Sequence, residues 1–126
     1  MRAAVATLVV FLTACASVAP RMEEAVVADR LFCGLSIPGG GEVSQSDLDA
    51  FIQEVVTPRF PQGFTVWRAK GQWNGGNEQT AIFEFLHPYD ARLDAKIHEI
   101  AEEYRKRFHQ EAVMRVTMPA RMEFVD

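Results

Sequence analysis

The chain has 126 residues, of which 48% are hydrophobic, and its formal net charge at pH 7 is −4. This length argues for a single domain, and this composition argues against a disordered chain. The acidic balance excludes nucleic acid as an expected partner, because binding to nucleic acid depends on neutralising phosphates with Lys and Arg.

The N-terminal segment predicts export from the cytoplasm. Arg2 precedes an apolar run at residues 3–12, and the motif Leu12-Thr13-Ala14-Cys15 follows. The run is too short for a transmembrane helix, which needs about 20 residues, and it has the character of a signal peptide. The four-residue motif resembles the lipobox of bacterial lipoproteins, in which cleavage precedes the cysteine. We therefore expect residues 1–14 to be a lipoprotein signal peptide.

Lipidation of Cys15 would place the protein in the cell envelope. Acyl chains on Cys15 would anchor the mature chain to a membrane, with residues 15–28 as a tether and residues 29–126 as the folded domain. Ala16 stands where an inner-membrane retention signal would have aspartate, which favours the periplasmic side of the outer membrane in a Gram-negative cell. The alternative is an ordinary signal peptide cleaved before Ser17, which leaves a secreted or soluble periplasmic protein.

The first predicted strand covers residues 30–37. It is almost continuously apolar, as expected for a central strand. Cys33 lies within it and has no partner in the chain once Cys15 is lipidated. Its apolar surroundings predict an inert position in the core rather than a reactive thiol.

Three consecutive glycines, residues 39–41, connect this strand to a predicted helix start at Ser44-Gln45-Ser46-Asp47, which is a capping-box pattern. A glycine loop before a helix N-terminus suits either an anion site or a simple turn. The lysine of a phosphate-binding loop is missing, and Glu42 and Asp47 would repel an anion. We therefore favour the turn over the anion site.

A helix and a hairpin follow in the middle of the chain. Apolar residues with helical spacing follow the capping box and end before Pro58 and Pro61. Strands are predicted over residues 64–73 and 80–87. Between them, Asn74-Gly75-Gly76-Asn77 predicts a tight turn, because Gly and Asn tolerate positive φ.

A long second helix is predicted over residues 90–108, and residues 112–125 contain the last strand, which Pro119 is expected to interrupt. The order of elements is therefore β-α-β-β-α-β. This order predicts an α+β, ferredoxin-like fold: a four-stranded antiparallel sheet, with strands one and three in the centre and both helices on one face.

Alternation along the strands predicts an apolar patch on the sheet face opposite the helices. Phe32, Trp67, Ile82 and Leu86 would point to that side. Exposed patches of this kind usually contact another molecule. We expect a homodimer through the open sheet, with an apolar ligand held between two sheets as the alternative.

Candidate catalytic residues are few. His87, at the end of a central strand, is placed to act as an acid or base, and Arg59 and Gln72 are suited to hold a carboxylate or an amide. His98 and His109 follow His87 at intervals of eleven residues, which brings no two histidines onto one helical face. The sequence therefore predicts neither a metal site nor a cofactor, and bonding of His87 to the backbone is the structural alternative.

Four stretches together resemble one family. They are LFCGLSIPGGGEVS (31–44), VVTPRFPQGFTV (55–66), GQW (71–73) and YRKRFHQEAVMRV (104–116). They are similar to an uncharacterised family of small secreted or lipid-anchored bacterial proteins, a domain of unknown function. The resemblance covers residues 29–125. It implies a ferredoxin-like fold and no particular reaction.

Two hypotheses about function remain open at this point. The first is a non-enzymatic envelope lipoprotein whose open sheet binds a partner or a second copy. The second is a small cofactor-independent enzyme with a pocket formed by His87, Arg59, Gln72 and the Gly39–Gly41 loop. A flat sheet with His87 bonded to backbone favours the first hypothesis, and a closed pocket containing His87 and the glycines favours the second.

Overall fold

The computed structural model describes residues 24–125. The predicted signal peptide, Cys15 and the first part of the predicted tether lie outside the described residues. The elements are β1 (Glu24–Gly34), α1 (Gln45–Phe51), a π-helical segment (Ile52–Val56), α2 (Thr57–Arg59), β2 (Thr65–Trp73), β3 (Gly76–His87), α3 (Ala91–Arg107) and β4 (Met114–Met122).

The four strands form one antiparallel sheet in the order β2-β3-β1-β4. The helical stretch from α1 through α2 and the long helix α3 both contribute to a single core on one face of the sheet, through Phe51, Val56, Ile97 and Ile100. The predicted α+β, ferredoxin-like fold is confirmed, including the central position of β1 and β3. We call the helix-covered side the inner face and the other side the outer face.

Strand β1 begins earlier than predicted. Residues 24–28 belong to the predicted tether, but they pair with β4, and Val27 and Ala28 also pair with β3. Val26 and Val27 are buried. The short apolar run is interrupted by Ala and Asp, so its periodicity was too weak to separate it from the preceding small and charged residues.

Two prolines have milder effects than predicted. Pro119 does not interrupt β4, because β4 is an edge strand and an edge position need not donate a ladder hydrogen bond. Pro58 lies inside the last helical turn, α2. The hydrogen-bond ladder is already irregular there, since Thr57 N–H donates to Ile52 O in the π-helical segment.

The core is built from aromatic side chains of both layers. Phe51 of α1 meets Tyr104 of α3 edge-on at 5.2 Å between ring centroids, and Phe60 lies 4.7 Å from Phe85 of β3. Cys33 is fully buried among these groups. Burial strongly raises the pKa of the Cys33 thiol, which supports the predicted inert core role.

The registers run without a bulge along all three strand pairs. Phe32, Ile82 and Trp67 therefore lie in one row across the outer face, and Leu86 is on the same side, as the alternation predicted. Trp67 and Leu86 are 37% and 46% exposed, whereas Ile82 is buried. The predicted patch thus exists as an arrangement of side chains, but Ile82 contributes little exposed surface to it.

Candidate functional site

The glycine loop is a structural turn. Gly39, Gly40 and Gly41 have φ values of 92°, 125° and 90°, which L-residues rarely adopt. Within the turn, Ile37 N–H donates to Gly41 O and Gly40 N–H donates to Ile37 O. The helix start is also satisfied, since the Ser44 hydroxyl accepts from Asp47 N–H. The backbone donors at Ile37, Gly40 and Asp47 are thus already occupied.

His87 is bound within the fold. It lies on the inner face and is buried. Its Nδ1 is 2.9 Å from Pro88 O, and its Nε2 is 2.7 Å from the Asp29 carboxylate. Both ring nitrogens therefore lie within hydrogen-bonding distance of oxygen atoms of this chain. No ring nitrogen of His87 is left for a substrate.

Asp29 is the centre of a buried charged cluster that sequence reasoning did not find. Arg115 donates to both oxygens of the Asp29 carboxylate, over 2.7 and 3.0 Å, and Thr117 Oγ1 donates to one of them over 2.5 Å. Arg115 also donates to the Asp94 carboxylate over 2.6 Å. Burial alone would raise the pKa of Asp29, but the hydrogen bonds from Arg115, Thr117 and His87 and the charge of Arg115 lower it overall. The cluster has the features of a structural ion pair.

Arg59 is held between two helices. Its Nε donates to Glu99 Oε2 of α3 over 3.0 Å, and its Nη1 donates to Val55 O over 2.9 Å. These contacts join the end of the first helical stretch to α3. Gln72, by contrast, lies on β2 and borders the cavity described next. The structure therefore does not bring the three candidate residues His87, Arg59 and Gln72 into one pocket.

A cavity of about 520 Å³ opens on the outer face, where the ends of β1 and β2 meet the starts of β3 and β4. Most of its walls are apolar or aromatic. The lining residues are Phe32, Gly34, Ser36, Ile37, Pro38, Gly71, Gln72, Trp73, Glu78, Thr80, Gln110, Glu111, Ala112 and Met114. Neither His87, nor Arg59, nor the three glycines of the loop line it.

The polar end of the cavity lies over Gly34. A Cβ atom at Gly34 would be 2.2 Å from Glu78 Oε1 and 2.7 Å from Gln110 Oε1, so these two oxygens occupy the space that a side chain would fill. Gln110 Nε2 donates to Ser36 O over 2.9 Å and to Phe108 O over 3.1 Å. The two donations fix the amide and leave its carbonyl oxygen directed towards Gly34.

Rigid elements position this end of the cavity. Gly34 O accepts a 2.8 Å hydrogen bond from the Tyr104 hydroxyl of α3, and burial raises the pKa of Tyr104, which keeps the hydroxyl protonated as a donor. Thr80 Oγ1 donates to Cys33 O beside it. Sequence reasoning missed Glu78 and Gln110. The available signal was Gly34 itself, since glycine inside an apolar strand often marks a close approach of other groups.

Comparison with known protein families identifies the family of this chain. The family described as "Protein of unknown function (DUF3574)" matches residues 28–124. The chain belongs to this family. The resemblance drawn from the LFCGLSIPGGGEVS, VTPRFP and GQW stretches is thereby confirmed at the level of the family, and the family itself has no assigned activity.

Two solved structures share the fold. A phage SAM lyase in complex with S-methyl-5′-thioadenosine superimposes with a TM-score of 0.51 and 16% identity, covering 80% of this chain and 93% of its own. A phage SAM lyase in the apo state superimposes with a TM-score of 0.53 and 15% identity, covering 83% and 98%. At this identity the likeness concerns the fold. No curated protein matches the chain.

The described residues form neither a metal-binding cluster nor a membrane-spanning helix. Residues 24–125 contain no group of three or more His, Cys, Asp or Glu side chains arranged to hold a metal ion. Over the same range, no helix has the length and apolar character needed to cross a membrane.

Proposed function

We propose that this protein is a cell-envelope lipoprotein, anchored through Cys15, whose outer-face cavity binds a small amphipathic molecule. The observation that carries the proposal is the cavity, with aromatic side chains of Phe32 and Trp73 at its walls and a polar end over Gly34. Its volume of about 520 Å³ lies within the range of about 300–1,000 Å³ that is usual for small-molecule sites.

The cavity is formed by rigid parts of the fold. Its floor belongs to paired strands, and Gln110 is fixed by two hydrogen bonds to backbone carbonyls. A site built in this way binds without reordering the chain, which favours affinity. Trp73 is about half exposed and offers a flat surface on which an aromatic ring can stack.

The fold comparison suggests the first ligand class to test. The phage enzyme of similar fold was solved with S-methyl-5′-thioadenosine, a molecule with an aromatic base and an apolar thioether. Both parts suit a cavity with aromatic and aliphatic walls. Adenosine thioethers and related aromatic compounds are therefore the first probes.

A second candidate function is a lyase reaction on S-adenosylmethionine in the same cavity. A base removes a proton from the carbon next to the sulfur-bound carbon of the aminobutyrate part, the C–S bond breaks, and S-methyl-5′-thioadenosine leaves with the electron pair of that bond while the aminobutyrate part becomes an unsaturated amino acid. This reaction is favoured by the carboxylate of Glu78 in the lining, since a positioned carboxylate can act as a base. The solved structures of similar fold are phage SAM lyases, which also favours it. Incubation with S-adenosylmethionine, followed by chromatography, would show S-methyl-5′-thioadenosine accumulating with the wild-type chain and not with Glu78→Gln. No product above the protein-free control would refute the lyase.

Self-association through the outer face is part of the proposal. Trp67 and Leu86 are exposed on the same sheet face as Phe32, which also lines the cavity. A second copy on this patch would therefore lie next to the cavity mouth. Size-exclusion chromatography with light scattering on the full chain in mild detergent should give twice the protein mass of a monomer. A monomer at all concentrations would contradict self-association and leave the ligand proposal standing.

Lipid attachment has its own test. Intact mass spectrometry of the membrane fraction should show an acylated N-terminal cysteine at position 15. An unmodified N-terminus at Ser17 would contradict the anchor.

Calorimetric titration tests ligand binding. Four probes are used: S-methyl-5′-thioadenosine, its S-methylated sulfonium, tryptamine and N-acetyltryptamine. We expect saturable binding of at least one probe to the full chain. Ser36→Phe, which fills the cavity from its rim, should abolish that binding, whereas Ser46→Phe on α1, outside the lining, should not. Absence of binding by all four probes, or binding unaffected by Ser36→Phe, would refute the cavity as the site.

A further inference from the structure

Among the described residues, the ionisable side chains that line the cavity are all acidic. Glu78 and Glu111 are its only ionisable lining residues, and no Lys, Arg or His is among the described residues that form it. Within residues 24–125, neither glutamate takes part in an ion pair. The ionisable lining is therefore acidic, and no ion pair within residues 24–125 involves either glutamate.

The polar end presents acceptors only. Glu78 Oε1 and Gln110 Oε1 both lie over Gly34, and neither oxygen carries a hydrogen when the glutamate is ionised. The Gln110 amide cannot rotate to offer its NH₂ group without losing its bonds to Ser36 O and Phe108 O. A group that bonds both oxygens at once must therefore be a donor or a cation.

The aromatic walls next to the polar end of the cavity suit the apolar part of a cationic ligand. Phe32 and Trp73 border the same cavity, and the faces of aromatic rings attract cations. A carboxylate combined with two aromatic walls is the arrangement that recognises organic cations rather than metal ions, which require more oxygen ligands than this end provides.

We propose that the outer-face cavity selects a small organic cation, whose positive group sits between Glu78 and Gln110 over Gly34 and whose apolar part contacts Phe32 and Trp73. This inference rests on the proposed function and adds the ligand class. The absence of a side chain at Gly34 is what leaves room for the two acceptor oxygens that would bind the positive group.

Matched probes separate this inference from the proposed function. The sulfonium and thioether of the adenosine pair differ by one methyl group and one positive charge, and tryptamine differs from N-acetyltryptamine by a charge that acetylation removes. In calorimetry with the full chain, each cationic member should bind about tenfold more tightly than its neutral partner, since tenfold corresponds to about 1.4 kcal/mol, within the range of a desolvated cation beside aromatic rings.

Variants test whether the preference for cationic probes arises from the Glu78 and Gln110 oxygens over Gly34. Glu78→Gln should remove the preference for the cation and leave the affinity of the neutral probe within about twofold, because the side chain keeps its shape and loses its charge. Glu103→Gln on α3, outside the lining, is the matched control and should keep the preference. Gly34→Ala places a Cβ where the two oxygens lie, so both Glu78 and Gln110 must shift, and the variant should weaken binding of the cationic probes. Circular dichroism of Gly34→Ala checks that the variant is folded before its affinities are compared.

The titration results distinguish failure of this inference from failure of the proposed function. Equal affinity for the members of both pairs, or a cation preference that persists in Glu78→Gln, would overturn the inference while the cavity remained a binding site. No binding of any probe would overturn the inference together with the proposed function.

Discussion

Replacement of Asp29 by Asn tests whether the inner-face charged cluster stabilises the fold. The Asp29 carboxylate accepts four hydrogen bonds, two from Arg115 and one each from Thr117 and His87, over 2.5 to 3.0 Å. An amide in its place offers one oxygen, and its NH₂ group faces donors. At least two donors would lose their acceptor, and the charge of Arg115 would remain without its buried partner.

The expected cost follows from these contacts. Hydrogen bonds to a charged group contribute about 1.5–3 kcal/mol each, and breaking a buried pair by removing one partner costs about 3–5 kcal/mol. Arg115 is 24% exposed and keeps its bond to Asp94, which limits the penalty. We therefore expect Asp29→Asn to lower the free energy of unfolding by about 3 kcal/mol.

Urea unfolding followed by circular dichroism measures this change. The control is Glu102→Gln, which removes ion pairs with Arg105 and Lys106 in which every side chain is at least 38% exposed. Exposed pairs contribute about 0–1 kcal/mol, so the control should stay near the wild type. A loss below about 1 kcal/mol in Asp29→Asn, or an equal loss in both variants, would refute a stabilising role for the cluster.

The pH dependence gives the same test an independent readout. The pKa of Asp29 in the folded chain lies below its ordinary value of 3.8. A carboxyl with a lowered folded pKa stabilises the fold fully above the unfolded pKa, and this contribution is lost as the pH falls through the folded pKa. Below about pH 4, the wild type should therefore lose stability more steeply than Asp29→Asn.

Three further predictions concern other parts of the fold. Cys33 should resist alkylation by iodoacetamide in the native chain and react in urea, because it is fully buried and burial raises its pKa; rapid labelling without denaturant would contradict this. Ser44→Ala should cost about 1 kcal/mol in urea unfolding, since Asp47 N–H loses its cap acceptor, whereas Ser46→Ala should cost less than half as much. Gly75→Ala should cost about 1 kcal/mol, because Gly75 has a φ of 82° in the hairpin turn, and an unchanged urea midpoint would show that the turn relaxes.

The hairpin turn and helix α3 could be predicted from the sequence because neighbouring residues determine them. The hairpin turn follows from Asn74-Gly75, which have φ values of 48° and 82°, as in a type I′ turn. Helix α3 begins at the Asp90 cap and ends at Phe108, within one residue of the prediction. In each case the determining residues lie next to one another in the chain.

The charged cluster and the cavity depend on contacts between distant residues. Asp29 lies 58 residues from His87 and 86 from Arg115, and it stands between the predicted tether and the predicted first strand. Gly34, Glu78 and Gln110 likewise come from β1, from β3 and from the residues after α3. Strand pairing brings Asp29 to His87 and Gly34 to the start of β3, and contacts between such distant residues cannot be read from neighbouring positions in the chain.

His87 and Glu78 differ in how completely the fold provides partners for their polar atoms. Both lie on β3, His87 on the inner face and Glu78 on the outer face, at opposite ends of the strand. Every polar atom of the His87 ring has a partner from this chain, so its interactions are complete in the folded state. Glu78 borders a cavity and has no ion-pair partner within residues 24–125. Partial burial of an unpaired carboxylate is unfavourable unless another group neutralises it, and a bound cation would supply that group.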